Sequence, residues 1–154
     1  LAQPYTFALA ALNVRSINKH FVDVLHDPVL SNMPLLWLSE TWTDVPVQMN
    51  GYMGLACNKR VDSRAGGVAI YAKTDSIIDA ASFDMPAIVS DFADVCAVRL
   101  HDGTVVATVH IHPATPKREI ESFVTDVLGW TAFDNDTPIV VMGDFNIEIG
   151  TPDG

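Results

Sequence analysis

The sequence predicts an α/β sandwich, and three observations carry that prediction. First, short apolar runs alternate with two segments whose apolar residues fall at helical spacing. Second, the predicted order is strand, helix, strand, two hairpins, helix, strand. Hairpins mixed with crossovers favour packed sheets flanked by helices over a doubly wound parallel sheet. Third, three of the apolar runs stop at a polar residue: Asn13 after the first, Glu40 after the second, and Asp144 with Asn146 after the last.

The last run, Pro138-Ile-Val-Val-Met-Gly143-Asp144-Phe145-Asn146, organises the rest. Its apolar residues predict a strand buried on both faces that ends in a polar turn. Gly143 lets the chain bend where a side chain would crowd it. Asp144 and Asn146 then stand at the mouth of the sheet, one acceptor-only and the other both donor and acceptor. The structural alternative is an Asx turn, because Asp and Asn favour turns for backbone reasons.

From the start, Tyr5 to Leu12 is apolar and strand-like. Ile17, Phe21, Val24 and Leu25 give the next segment helical spacing from Ser16, a good N-cap type, with Pro28 ending the helix or opening a short second turn. Pro34 opens a second buried strand, Leu35 to Leu38, which stops at Ser39-Glu40-Thr41-Trp42. Residues 46 to 53 form a loop, with extended structure restarting at Gly51-Tyr52. The stretch from Asn58 to Ala65 carries Lys59, Arg60 and Arg64, and Gly66-Gly67 begins the second strand of a hairpin, Val68 to Ala72. Ile77 to Asp91 has no clear period. Ala93 to Leu100 and Thr104 to His112 make a second hairpin around His101-Asp102-Gly103. Ile120, Phe123, Val124, Val127 and Leu128 give Lys117 to Trp130 an amphipathic helix, and Asp134 with Asp136 suits a turn before Pro138.

At 154 residues, 49% of them hydrophobic and 18% charged, the chain has the material for a substantial core in one domain or a large part of one. No apolar run reaches the length of a membrane span. The formal charge of −10 argues against a broad basic face gripping nucleic acid. It is compatible with an enzyme that reaches phosphate through a metal, since acidic ligands recruit the cation. Cys57 and Cys96 lack CxxC spacing and read as free thiols in a reducing compartment, so an intracellular protein, nuclear or cytoplasmic, is expected.

Strands that finish together put their terminal residues around one crevice. A carboxylate pair with two amides suits a hydrated Mg²⁺ and a phosphodiester. Oxygen ligands fit the hard cation, a second carboxylate can orient or deprotonate water, and an amide can donate to a phosphoryl oxygen.

Four stretches carry a resemblance in order along the chain: Leu12-Asn13-Val14-Arg15-Ser16, Leu38-Ser39-Glu40-Thr41-Trp42, Arg64-Ala65-Gly66-Gly67-Val68-Ala69-Ile70-Tyr71 and Gly143-Asp144-Phe145-Asn146. They resemble the signature blocks of the endonuclease/exonuclease/phosphatase superfamily, the DNase I-like proteins. Their wording is closest to endonuclease domains of mobile elements, of the non-LTR retrotransposon or Helitron kind. The resemblance implies two β-sheets packed face to face between helices, and a Mg²⁺- or Mn²⁺-dependent phosphodiesterase that cuts DNA. Carried over by motif, Glu40 is the main metal ligand and Asn13 supports it, Asp144 positions or activates water, and Asn146 holds the scissile phosphate. Arg15 and Arg64 belong to a phosphate-contacting rim.

Two departures bear on that expectation. Where the family has a Tyr before the last amphipathic helix, this chain reads Val109-His110-Ile111-His112-Pro113. His110 falls at the Tyr position, His112 lies on the same strand face, and either could reach the phosphate. The family's closing Ser-Asp-His block is absent, so residues 1–154 correspond to the N-terminal and central part of such a domain, C-terminally truncated. An open sheet edge there is expected to favour self-association. Competing functions are a phosphatase or phosphodiesterase of the same superfamily acting on a small ester, and a non-catalytic remnant that binds nucleic acid or protein.

Overall fold

The structure, a computed structural model, describes residues 8–61, 63–75, 80–83, 91–128 and 137–147, with 80–83 and 127–128 described by backbone alone. The expectations for Tyr5, for most of the stretch from Ile77 to Asp91, for Trp130 and for the turn at Asp134 and Asp136 lie outside the described residues.

Two four-stranded sheets form the centre. The first has the order β1–β2–β4–β3, from β1 (Leu9–Asn13), β2 (Leu35–Ser39), β3 (Tyr52–Asn58) and β4 (Val68–Lys73). The second has the order β5–β6–β7–β8, from β5 (Ala80–Phe83), β6 (Ala93–Leu100), β7 (Val105–Ile111) and β8 (Ile139–Asp144). Each sheet contains one parallel pair, β1 with β2 and β7 with β8, and its other pairings are antiparallel. The parallel pairs need crossovers, and each crossover carries a helix: α1 (Ile17–His26) between β1 and β2, and α2 (Lys117–Leu128) between β7 and β8. Both hairpins expected from the glycine signals are present, β3 with β4 and β6 with β7.

Burial sorts the chain into four layers. Between the sheets, Leu35, Trp37, Val68 and Ile70 of the first sheet pack with Cys96, Val98 and Val106 of the second. On the outer face of the first sheet, Leu36, Leu38, Ala69 and Tyr71 receive Ile17 and Val24 of α1. On the outer face of the second, Val109 and Ile111 receive Ile120 and Phe123 of α2. β2 and β4 are therefore covered on both faces, which is why their sequences are apolar without alternation. Among the described residues, no helix is long and apolar enough to cross a membrane.

Two details differ from the sequence reading. Full burial on both faces belongs to β2 and β7, whereas β8 is only partly buried, with Val140 37% exposed. Among the described residues β8 pairs with β7 and with no strand on its other side. Ser16 does occupy the N-cap position, but its hydroxyl caps nothing: its backbone stands at φ 89° and the residue is buried. Pro28 behaves as expected, following the end of α1 and leading to a single 3₁₀ turn at Leu30–Asn32.

Gly143 is required by close approach. Its φ is 153°, and a Cβ there would run into the Val109 carbonyl of the neighbouring strand. Gly143→Ala is expected to lower stability by about 2–3 kcal/mol through overpacking, read as a lower urea midpoint with an unchanged m-value.

Candidate active site

The two parallel pairs end at one place. Register puts Asn13 opposite Ser39 at the end of the first pair and His110 opposite Asp144 at the end of the second. β8 touches both β1 and β2, and β7 touches β2, so the two strand-end rows face each other. The Asn13 amide donates to Asp144 Oδ2 across the gap at 3.0 Å. His110 Nε2 lies 2.9 Å from Glu40 Oε1, an ion-pair distance without the alignment of a hydrogen bond. Asn146 follows Asp144, donating its backbone N–H to Asp144 Oδ1 at 3.1 Å and its amide to the Ile111 carbonyl at 2.7 Å. Asn13, Glu40, Asp144 and Asn146 are thus joined through direct contacts and His110.

The backbone is strained at this place. Among the described non-glycine residues, positive φ occurs at Arg15 (43°), Ser16 (89°), Glu40 (56°), Trp42 (59°) and Asn146 (48°). Every one of them lies just beyond the end of β1, β2 or β8. Such conformations cost about 1–3 kcal/mol each and persist where surrounding bonds over-determine them. Here those bonds run between the loops: Ser16 N–H to the Glu40 carbonyl at 2.7 Å, Ile17 N–H to Thr41 at 3.1 Å, and Trp42 N–H to Gly66 at 2.9 Å.

Two carboxylates are cradled by one glycine pair. Gly66 N–H donates to Glu40 Oε2 at 3.1 Å, and Gly67 N–H donates to Asp94 Oδ2 at 2.8 Å. Both glycines have φ near 87°, and a Cβ on Gly66 would come within 2.5 Å of Asp94 Oδ2. Asp94 also accepts from the Arg60 backbone N–H at 2.6 Å and from its Nε at 3.2 Å. His110 Nδ1 stands 3.4 Å from Asp94 Oδ2. The imidazole, 1% exposed, is therefore held between Asp94 on one nitrogen and Glu40 on the other.

The electrostatics follow from these contacts. Burial pushes His110 toward the neutral form, but the Asp94 contact and the negative charges of Glu40, Asp94 and Asp144 outweigh it and raise its pKa above 6.5. Burial would raise Asp94, yet the contacts with His110, Gly67 and Arg60 hold it below the usual 3.8. Glu40 is likewise lowered: the Trp42 indole, the Gly66 N–H and His110 together overcome partial burial. The surrounding carboxylates thus favour the protonated imidazole, with Asp144 opposite His110 in register. Cys57 and Cys96 are free; burial raises the Cys57 thiol to about 11 and pushes Cys96 well above the usual thiol value, so neither is a thiolate at neutral pH.

Of the two strand-end histidines, only His110 reaches this cluster. His112 lies beyond β7, exposed, with Nδ1 accepting from Ala114 N–H, and lines a separate cleft of about 400 Å³ with Arg60 and Glu119. Arg15 is exposed and lines a cleft of about 330 Å³ next to Asn13. Arg64 is exposed on the loop before Gly66. Sequence reasoning missed Asp94 and the reason for the glycine pair, and it counted Arg60 with the basic rim, whereas Arg60 pairs with Asp94. Asp94 was detectable as a lone carboxylate inside the apolar run Ala93-Asp94-Val95-Cys96-Ala97-Val98.

Several solved structures share this fold. A 3′ phosphatase, NExo, from Neisseria bound to a product DNA hairpin is 21% identical, matching 92% of this chain and 58% of its own at a TM-score of 0.61. A 3′–5′ exonuclease (NExo) from Neisseria meningitidis is 24% identical over 90% of this chain and 57% of its own, with a TM-score of 0.53. The AP endonuclease LMAP from Leishmania major is 16% identical over 88% and 54%, with a TM-score of 0.52. The chain thus has the DNase I-like, two-sheet fold, and spans somewhat over half the length of these structures. Comparison with protein-family models finds no match, and comparison with curated protein sequences finds none either.

Proposed function

We propose that this chain is the N-terminal and central part of a metal-dependent phosphodiester hydrolase acting on DNA. The observation that carries the reading is the meeting of Glu40, His110, Asp144 and Asn13 where two parallel strand pairs end. A buried acid, an acceptor-only carboxylate and two amides are the groups that hydrolysis of a phosphoester uses. The shared fold supports the class, because the similar structures include a 3′ phosphatase with product DNA, an exonuclease and an AP endonuclease. The wording of the Asn13, Glu40 and Asp144 motifs supports an endonuclease domain of a mobile element as the particular setting.

The donor set fits a hydrated Mg²⁺ or Mn²⁺. It consists of oxygens: the Glu40 carboxylate, 17% exposed at its side chain, and those of Asn13 and Asp144, which are bonded to each other. Among the described residues no group of three or more His, Cys, Asp and Glu side chains forms a metal cage, so the cation would have to keep most of its waters. Glu40 and Asn13 would hold it, and when bound it supplies Lewis acidity at a phosphoryl oxygen. Affinity should be weak, and titration calorimetry should show it lost in Glu40→Ala. Equal heats from parent and variant would remove Glu40 from the metal site.

The chain's own groups then divide the work. Asp144 keeps free lone pairs on both oxygens beyond its bonds to Asn13 and Asn146, so it can accept a proton from the attacking water. In its protonated form, which the neighbouring carboxylates favour, His110 offers positive charge where negative charge develops on the phosphoryl group. Asn146 has one amide hydrogen committed to Ile111 and a second available for a phosphate oxygen. Asp94, with Arg60 and Gly67 behind it, fixes the His110 ring and its protonation.

A second reading is a phosphatase that removes a terminal phosphate from DNA, favoured by the likeness to the Neisseria 3′ phosphatase. Nicking of supercoiled plasmid in Mg²⁺, against phosphate release from a 3′-phosphorylated oligonucleotide, separates the two. Retained DNA binding with neither activity would leave a non-catalytic binding module.

A further inference from the structure

We infer that Trp42 is a stacking platform for a nucleobase adjoining the phosphate held at His110 and Asn146, and so selects DNA that presents an unpaired or terminal base. This rests on the reading of the site as one for DNA phosphoesters.

Trp42 is held at both ends yet open on its ring. Its backbone N–H is tied to the Gly66 carbonyl at 2.9 Å, and its indole N–H donates to Glu40 Oε2 at 2.6 Å. The residue is nevertheless 40% exposed, and it is the sole aromatic among the exposed large hydrophobics of the described residues. Its φ of 59° is unusual for a bulky side chain. A packing role explains none of this: packing would bury the ring, and a turn could be made by Gly or Asn without strain. Trp37, five residues earlier on β2, shows the contrast, 1% exposed in the core between the sheets.

The surroundings specify the partner. The Lys19 ammonium lies over one face of the ring, 5.8 Å from its centroid, so a base would take the other, and Arg15 is exposed in the loop before α1. A rigid aromatic ring beside cations suits a base for the ring and backbone phosphates for the charges, the combination that single-stranded nucleic acid engages. The bond to Glu40 fixes the ring relative to the carboxylate, so a stacked base would set where its phosphate falls. Because a base inside a duplex has both faces covered by neighbours, such a platform favours strand ends, frayed sites and extruded nucleotides.

The test is binding in EDTA, where cleavage does not intervene. A thymidine oligonucleotide and an abasic oligonucleotide of equal length carry the same phosphates, but only the first has bases. Tryptophan fluorescence of the full chain should be quenched by the first and not by the second, and the quenching should vanish in Trp42→Phe while anisotropy shows binding of the thymidine strand largely retained. Trp42→Ala should weaken that binding by about 5- to 150-fold, with little change for the abasic strand. In turnover, Trp42→Ala should raise KM more than it lowers kcat. Equal quenching by both strands, or quenching that survives in Trp42→Phe, overturns the inference, whether or not Trp42→Ala folds. Base-dependent quenching without any phosphoester cleavage would leave this inference standing and reject the hydrolase reading; cleavage without base-dependent quenching would do the reverse.

Discussion

A His110→Gln variant is expected to hydrolyse DNA phosphoesters about 100- to 10,000-fold more slowly than the parent, the range that removing one acid–base group produces. Gln keeps a polar side chain of similar reach but carries no charge and cannot be an acid. The loss should fall on kcat with KM little changed, because the imidazolium is worth most when charge develops on the phosphoryl group. His112 supplies the internal control. It lies beyond β7 on a separate cleft, and His112→Gln is expected to stay within about threefold of the parent. Equal losses in the two variants would mean that His110 is not the reacting histidine.

Asp94→Asn should produce the largest change in stability. The Asp94 carboxylate is fully buried and faced by the Arg60 guanidinium, the Arg60 and Gly67 N–H groups and the His110 ring. Breaking a buried pair leaves charge without a partner and costs about 3–5 kcal/mol. The sign of the pH dependence follows from its pKa, which lies below 3.8 in the folded chain and near that value when unfolded. The unfolded state therefore binds the proton more readily, so the stabilisation is complete above about pH 4 and disappears as the pH falls through the folded value. Urea midpoints of parent and variant should differ widely at pH 7 and draw together as the pH falls below 3.8. A gap that stayed constant across that range would assign the loss to packing alone.

Most of the fold was legible because its signals are local. Glycine pairs marked the hairpins, apolar runs without alternation marked strands covered on both faces, and the 3.6 period marked both helices. The site was legible in part for a different reason. Strand-end polar residues are set off from apolar runs, so Asn13, Glu40 and Asp144 could be read directly. Asp94 could not be assigned to the site, because its partners come from β7 and from the loop after β3, and only register brings His110 opposite it. The spacing of His110 and His112 left both open; the end of β7 at Ile111 separates them. Ser16 has the chemistry of a cap, yet bonds from the Glu40 and Thr41 carbonyls to the start of α1 hold it in another conformation. The burial assigned to β8 also depended on what lies beside it, which composition does not encode.

The central claim is that the ends of the two parallel pairs act as one site on a phosphoester. A double-mutant cycle on Glu40 and Asp144 addresses it most directly, with Mg²⁺-dependent plasmid nicking measured for the parent, Glu40→Ala, Asp144→Asn and the double variant. Groups that act as a unit give losses that do not multiply. Each single variant is expected to fall by about 100-fold or more, and the double variant to be no slower than the slower single. Nicking by Asp144→Asn at the parental rate, or losses that simply multiply, would contradict the account.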